Sequence, residues 1–314
     1  MSDTRHLILG GGTAGVNAIR TLRQLGDTGE ITLVSAEPPY SRMVLPYYLA
    51  GSIAESHATT AGPRQLERWG VQTRIGVRAT RLDAAGKTLH LDNDETIGFE
   101  NLLIATGSSA LRPPVPGADA LGVHTFWTMD DAQAVHRHIR PEHHVVLVGA
   151  GFIAFTILDG ILARAAKLTI VEVEPRILPR MVDEAGAALA AAHLAAHGVT
   201  LRTGTRLTRI ERRGDALHLT FDQGAPLSAD LVLMATGIRP NIDWLRDSGL
   251  ALGAGIKVDA HLRTSAPGIY AAGDVAEGAN RVTGAMEVHA IEPTAMEHGR
   301  VAGANMAGRN VAYA

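Results

Sequence analysis

Three glycines after an apolar run supply the first chemistry legible in the chain. Leu7-Ile8-Leu9 leads into Gly10, Gly11, Gly12, Thr13, Ala14 and Gly15. In a strand–turn–helix unit, Gly10 permits a tight turn, Gly12 lets the backbone approach a pyrophosphate, and Gly15 lets the helix pack close to the strand. A helix opening near Thr13 points free N–H groups and its positive dipole end at that anion. A second apolar strand, residues 31–36, delivers Glu37, 27 residues after Gly10. A carboxylate there accepts hydrogen bonds from an adenosine ribose. The unit then recurs. Residues 145–148 run into Gly149, Gly151, Phe152 and Ile153, and a strand over 168–171 ends at Glu172, 23 residues after Gly149. Each half closes on an apolar strand entering the same triplet, Ala105-Thr106-Gly107 and Ala235-Thr236-Gly237. Two dinucleotide folds in one chain point to two dinucleotides, one passing electrons to the other.

The elements that must position these turns follow in order. Between Glu37 and the first triplet lie three tyrosines (Tyr40, Tyr47, Tyr48) and a break at Pro46. An amphipathic helix is expected over 62–69, then short strands over 71–77, 79–83 and 87–91, a β-meander in place of a simple crossover. The proline-rich run 111–117 excludes regular structure and reads as a domain linker. The second half has its own meander, with strands over 201–210 and 216–221. A last helix is expected over 294–306, with Pro293 in the position of a helix start that proline tolerates. The fold class is α/β, with two Rossmann-like domains, each a central parallel sheet with a β-meander.

Composition narrows the classes. The 314 residues carry 46% hydrophobic and 19% charged residues and a net charge of −3, so nothing points to a nucleic-acid partner. No basic-apolar leader and no apolar run of membrane-spanning length is visible, and the chain reads as cytoplasmic. Cysteine is absent. Disulfides, thiolate nucleophiles and cysteine-ligated iron–sulfur clusters are thereby removed together.

Both glycine turns, both Ala-Thr-Gly strands and the stretch from Thr264 to Val275 together resemble the pyridine nucleotide–disulfide oxidoreductases, over nearly the whole chain. The resemblance implies FAD in the first fold and a nicotinamide dinucleotide in the second. It implies a discontinuous FAD domain, 1–115 with 243–314, around an NAD(P)H domain at 116–242. Gly273 and Asp274 would meet the FAD ribityl or pyrophosphate region. Pro293, Thr294 and Ala295 would open a helix aimed at the flavin, and Arg42 and Ala79 would join the cofactor contacts. The family's third, dimer-forming domain would begin about where this sequence ends. Members that reduce disulfides hold a cysteine beside the flavin; its position here is Met43. Members that serve small iron–sulfur proteins carry a lysine where this chain has Tyr47. In the second turn Ala154 replaces the third glycine and Thr156 replaces a glutamate, with Asp159 one turn on as a substitute.

Near the flavin end of the last helix, His289 and Glu292 form the candidate acid–base pair, and Tyr47 is the candidate flavin-wall residue. His193 and His197 have a metal-compatible spacing, but no third ligand is visible and no metal is expected. The reading is an FAD-dependent NAD(P)H oxidoreductase, with NADH preferred through Glu172. Electrons would pass directly to oxygen, a quinone or dye, or a redox protein. A flavoprotein subunit of a larger complex, without catalysis of its own, is the alternative.

Overall fold

Why the chain doubles its architecture is visible in two nearly identical junctions. Gly10 adopts φ +112° and Gly149 φ +100°, a region that side chains disfavour. A Cβ on Gly10 would collide with the Ala105 carbonyl, and one on Gly149 with the Ala235 carbonyl. Each glycine turn is thus pressed against the Ala-Thr-Gly strand of its own half, which accounts for the two motifs recurring as a pair. The computed structural model describes residues 2–165 and 167–313. Its helices are α1 (Thr13–Gln24), α2 (Leu45–Ala50), α3 (Pro63–Arg68), α4 (Met129–His138), α5 (Phe152–Thr156), α6 (Leu158–Leu162), α7 (Glu184–Ala196) and α8 (Glu292–Met306).

The chain divides into two compact units, residues 1–41, 58–109 and 240–314 in the first, and 42–57 and 110–239 in the second. In the first unit, parallel strands Val71–Ile75, Ile31–Ser35, Ser2–Leu9 and Thr96–Ile104 lie side by side, and the antiparallel Thr88–Leu91 and Ala79–Asp83 extend the sheet. Ile269–Ala271 pairs in parallel with Thr96–Ile104, so the C-terminal segment completes the first sheet. Leu7, Ile8, Leu33, Leu102 and Leu103 are fully buried in it, as strands covered on both faces require. Helix α8 closes this unit against α1. Cβ atoms on Gly299 and Gly303 would strike the carbonyls of Ala14 and Ala18, so the glycines set how closely the two helices approach.

The second unit is built on a five-stranded parallel sheet in the order Thr200–Arg202, Lys167–Val171, His144–Val148, Leu231–Met234, Val123–Thr125. A three-stranded meander, Leu207–Arg213, Ala216–Phe221 and Leu227–Ala229, stands beside it. The single strand expected over 201–210 is therefore two. It breaks at Gly204, which takes φ +62° and donates its N–H to the Glu174 carbonyl.

Residues 42–57 depart from the uninterrupted first domain expected over 1–115, because they group with the second unit. Leu45 and Leu49 of α2 are buried, and α2 packs on α4 and α6. Arg164 donates to the Leu49 carbonyl at 2.6 Å, and a Cβ on Gly160 would touch the Leu49 side chain. Pro46 does not break the chain. It stands in the first turn of α2, where its missing N–H has no helical partner to lose. No helix among the described residues is long and apolar enough to cross a membrane.

Candidate cofactor sites

The first site is assembled at the N-terminus of α1. Gly12 is the N-cap and supplies no side-chain cap, and no acid lies in the first turn. The α4 and α7 N-termini, by contrast, are closed by Thr128 with Asp131 and by Asp183. The α1 amides are thus left without a side-chain cap, the arrangement that suits an anion. The three glycines differ in what surrounds them. A Cβ on Gly15 would strike the Gly10 carbonyl, whereas one on Gly12 meets nothing within 4 Å. Gly10 and Gly15 are thus required by the fold, and Gly12 keeps open a space of the kind a pyrophosphate needs. The Gly11 N–H donates to Ser35 Oγ at 3.0 Å, and Ser35 Oγ donates to the Glu37 carbonyl at 2.7 Å. The Tyr40 hydroxyl donates to the Glu37 carboxylate at 2.6 Å, fixing that side chain beyond the strand end. Across the turn, Ser108 donates to Asp274 at 2.6 Å. Asn241 donates its side-chain amide to the Thr106 carbonyl at 2.9 Å and its backbone N–H to the Gly107 carbonyl at 3.0 Å.

The second site repeats this plan with one exchange. Gly151 is the uncapped N-cap of α5, and a Cβ there also meets nothing within 4 Å. Gly10 donates its N–H to the Val34 carbonyl, and Gly149 donates to Val171. Ser35 and Glu172 are therefore equivalent positions, as are Glu37 and Glu174. Glu172 does the work of Ser35. Its carboxylate accepts the Ala150 N–H at 2.6 Å and the Glu174 N–H at 2.9 Å, and the residue is only 7% exposed. Glu174 is exposed, at the place where Glu37 stands in the first half. Arg176, whose guanidinium would otherwise answer a phosphate, donates to the carbonyls of Pro179 and Val182 within its own loop. Phe152 is exposed at the first position of α5, Ile153 is half-buried, and Thr236 donates to the Leu111 carbonyl at 2.8 Å. The helix after this turn is not continuous. It ends at Thr156, whose hydroxyl donates to the Ile153 carbonyl, and restarts at Leu158. Asp159 is therefore not one turn along an unbroken helix.

The remaining candidates are scattered. Tyr47 is 58% exposed on α2, Tyr48 stacks against His136, and Arg42 lies over the Trp127 ring at 5.6 Å, all in the second unit. Ala79 opens a meander strand of the first. Thr294 and Ala295 are buried in the first turn of α8, after Pro293. Glu292 accepts hydrogen bonds from Thr13 Oγ1 and Ser41 Oγ, both at 3.1 Å. His289 lies 3.8 Å from Glu287, and no hydrogen bond joins it to Glu292. His193 and His197 stack on the exposed face of α7, and the described residues contain no trio of metal-ligating side chains.

Ser41, Ser108, Asn241, Glu174 and His298 take part without having been singled out in the sequence. Aligning the two halves on their glycine turns brings out Glu174. The others are joined only by the fold. His298 is buried, as Ser108 is. It accepts the Gly273 N–H at 3.3 Å and meets the Tyr313 ring edge-on at 4.5 Å. Burial, and then the neighbouring His289, pushes its pKa down to about 4. The unfolded chain therefore binds one more proton than the folded one between pH about 4 and the ordinary histidine value of 6.5. Stability should be full above pH 6.5 and fall as the pH drops through that window, by about 3 kcal/mol. Thermal melts from pH 7.5 to 4.5 should show this slope. His298→Gln, which still offers Gly273 an acceptor, should flatten it, and an unchanged slope would assign the acid sensitivity elsewhere.

Comparison with known proteins agrees with this geometry. The family model described as pyridine nucleotide-disulphide oxidoreductase matches residues 4–295, and the chain belongs to that family. It is accordingly an FAD- and NAD(H)-dependent oxidoreductase. It is 34% identical over 310 residues to the NADH-dependent phenylglyoxylate dehydrogenase subunit epsilon of Aromatoleum evansii, covering 98% of this chain and 73% of that one. It is 32% identical over 284 residues to a rubredoxin-NAD(+) reductase of Pseudomonas putida, covering 89% and 74%. The crystal structure of a ferredoxin reductase from Rhodopseudomonas palustris superposes with a TM-score of 0.94 at 27% identity, covering 99% of this chain and 78% of that one.

Proposed function

We propose that the chain oxidises NADH and hands the electrons, without any protein thiol, to a small separate redox protein. FAD held there would supply two-electron chemistry, accepting a hydride from NADH, then giving two electrons to the acceptor and one proton to solvent. The protein's part is to hold the two dinucleotides. Gly12, Glu37 and Asp274 would hold FAD, and Gly151, Glu172 and Glu174 the nicotinamide dinucleotide. The observation that carries the direct transfer is the absence of cysteine from all 314 residues, with Met43 at the family's cysteine position. With no thiol to relay electrons, the acceptor must take them from the flavin itself. Relatives named as reductases of rubredoxin and ferredoxin support a redox protein as that acceptor. A relative named as an NADH oxidase supports oxygen as a second. The test is anaerobic reduction with NADH, followed by rapid mixing with an oxidised rubredoxin or ferredoxin, or with aerated buffer. Reoxidation at least tenfold faster by a redox protein than by air is expected. Faster reoxidation by air would make the chain an oxidase.

A further inference from the structure

Glu292 has an arrangement that neither helix capping nor acid–base chemistry explains. An acid in the first turn of a helix ordinarily serves its own dipole and amides. Here no hydrogen bond links the carboxylate to amides of α8. Oε1 instead accepts both the Thr13 and the Ser41 hydroxyls at 3.1 Å, bridging segments 279 and 251 residues away in sequence. Thr13 directly follows Gly12, whose missing side chain leaves the cradle open. A carboxylate is thus clamped at the edge of a site built for an anionic cofactor. A mere lock between three segments needs only an acceptor oxygen, which a neutral amide also supplies. The charge is the additional feature, and its partner hydroxyls are neutral.

We infer that Glu292 is a positioning residue that lowers the reduction potential of the flavin held in the first unit. The inference rests on the assignment of FAD to that unit. Hydride uptake would leave NAD+ and add one negative charge to a flavin held there, and reoxidation would return two electrons to the acceptor and one proton to solvent. A fixed carboxylate beside the cradle opposes the added charge and leaves the oxidised form unaffected by comparison. The reduced protein is thereby a stronger reductant toward the redox protein proposed as its acceptor.

The test is the midpoint potential of the holoprotein, by equilibration with reference dyes. Glu292→Gln keeps an acceptor for Thr13 and Ser41 and removes the charge. It should retain flavin and melting temperature while shifting the reduction equilibrium at least tenfold toward the reduced form, about 30 mV for a two-electron couple. Ser41→Ala leaves the charge and removes one hydroxyl that shields it, so its midpoint should move the other way. An unchanged midpoint in flavin-bearing Glu292→Gln would reduce Glu292 to a structural lock. A rise in Ser41→Ala, measurable even if the first variant does not hold flavin, would attribute the effect to geometry. A parent protein that purifies without flavin would instead overturn the FAD assignment, before any variant is compared.

Discussion

Gly12→Val should give a folded protein that purifies without flavin. The space ahead of Gly12 contains no protein atom within 4 Å of an added Cβ, and its backbone is extended, at φ −74° and ψ −170°. Valine therefore strains nothing within the fold, and its methyl groups fill the space that the pyrophosphate must enter. Gly15→Val provides the contrast. Its side chain would drive into the Gly10 carbonyl, and overpacking of that kind costs about 1–3 kcal/mol or more. Far-ultraviolet circular dichroism and melting should leave Gly12→Val like apoprotein and show Gly15→Val destabilised. Flavin absorbance per protein should fall at least tenfold in Gly12→Val. Full absorbance would place the cofactor elsewhere.

Glu174→Ala should relax the choice between NADH and NADPH, and Glu172→Ala should weaken both alike. The reason lies in the register of the two halves. Glu174 occupies the place of Glu37, exposed beyond the strand end, whereas Glu172 fastens the amides of Ala150 and Glu174 as Ser35 fastens Gly11. A 2′-phosphate at ~4 Å from a carboxylate meets gross repulsion of about 4 kcal/mol per pair of unit charges at an effective dielectric near 20. Solvent screening should leave roughly 1–3 kcal/mol, about ten- to a hundredfold in kcat/KM for flavin reduction. Arg176 does not offset this, since its guanidinium is held by its own loop. Stopped-flow reduction with each nucleotide in parent and both variants decides it. A ratio unchanged by Glu174→Ala and collapsed by Glu172→Ala would return the discriminating role to Glu172.

Most of the double architecture was legible because its signals are local. Each apolar strand runs directly into its glycine turn or its Ala-Thr-Gly triplet, so each signal is readable on its own, and the steric reasons for them are the collisions found at Gly10, Gly15 and Gly149. What the sequence hid depends on contacts across long separations. Residues 42–57 join the second unit because Leu49 meets Gly160 and Arg164, which no reading of the segment itself reveals. The roles of Glu172 and Glu174 differ by two positions, and only the backbone pairing of Gly149 with Val171 fixes which residue matches Glu37. Glu292 was noticed as an acid, but its partners Thr13 and Ser41 lie more than 250 residues earlier.

Anaerobic titration of the purified holoprotein with NADH tests the central claim most directly. Electrons should pass from the nicotinamide to the flavin with no thiol to share them. Flavin absorbance should therefore bleach completely at one NADH per flavin, with no long-wavelength thiolate band at any point. Flavin that stays oxidised under excess NADH and NADPH would contradict the account and leave a bound cofactor without a reductase.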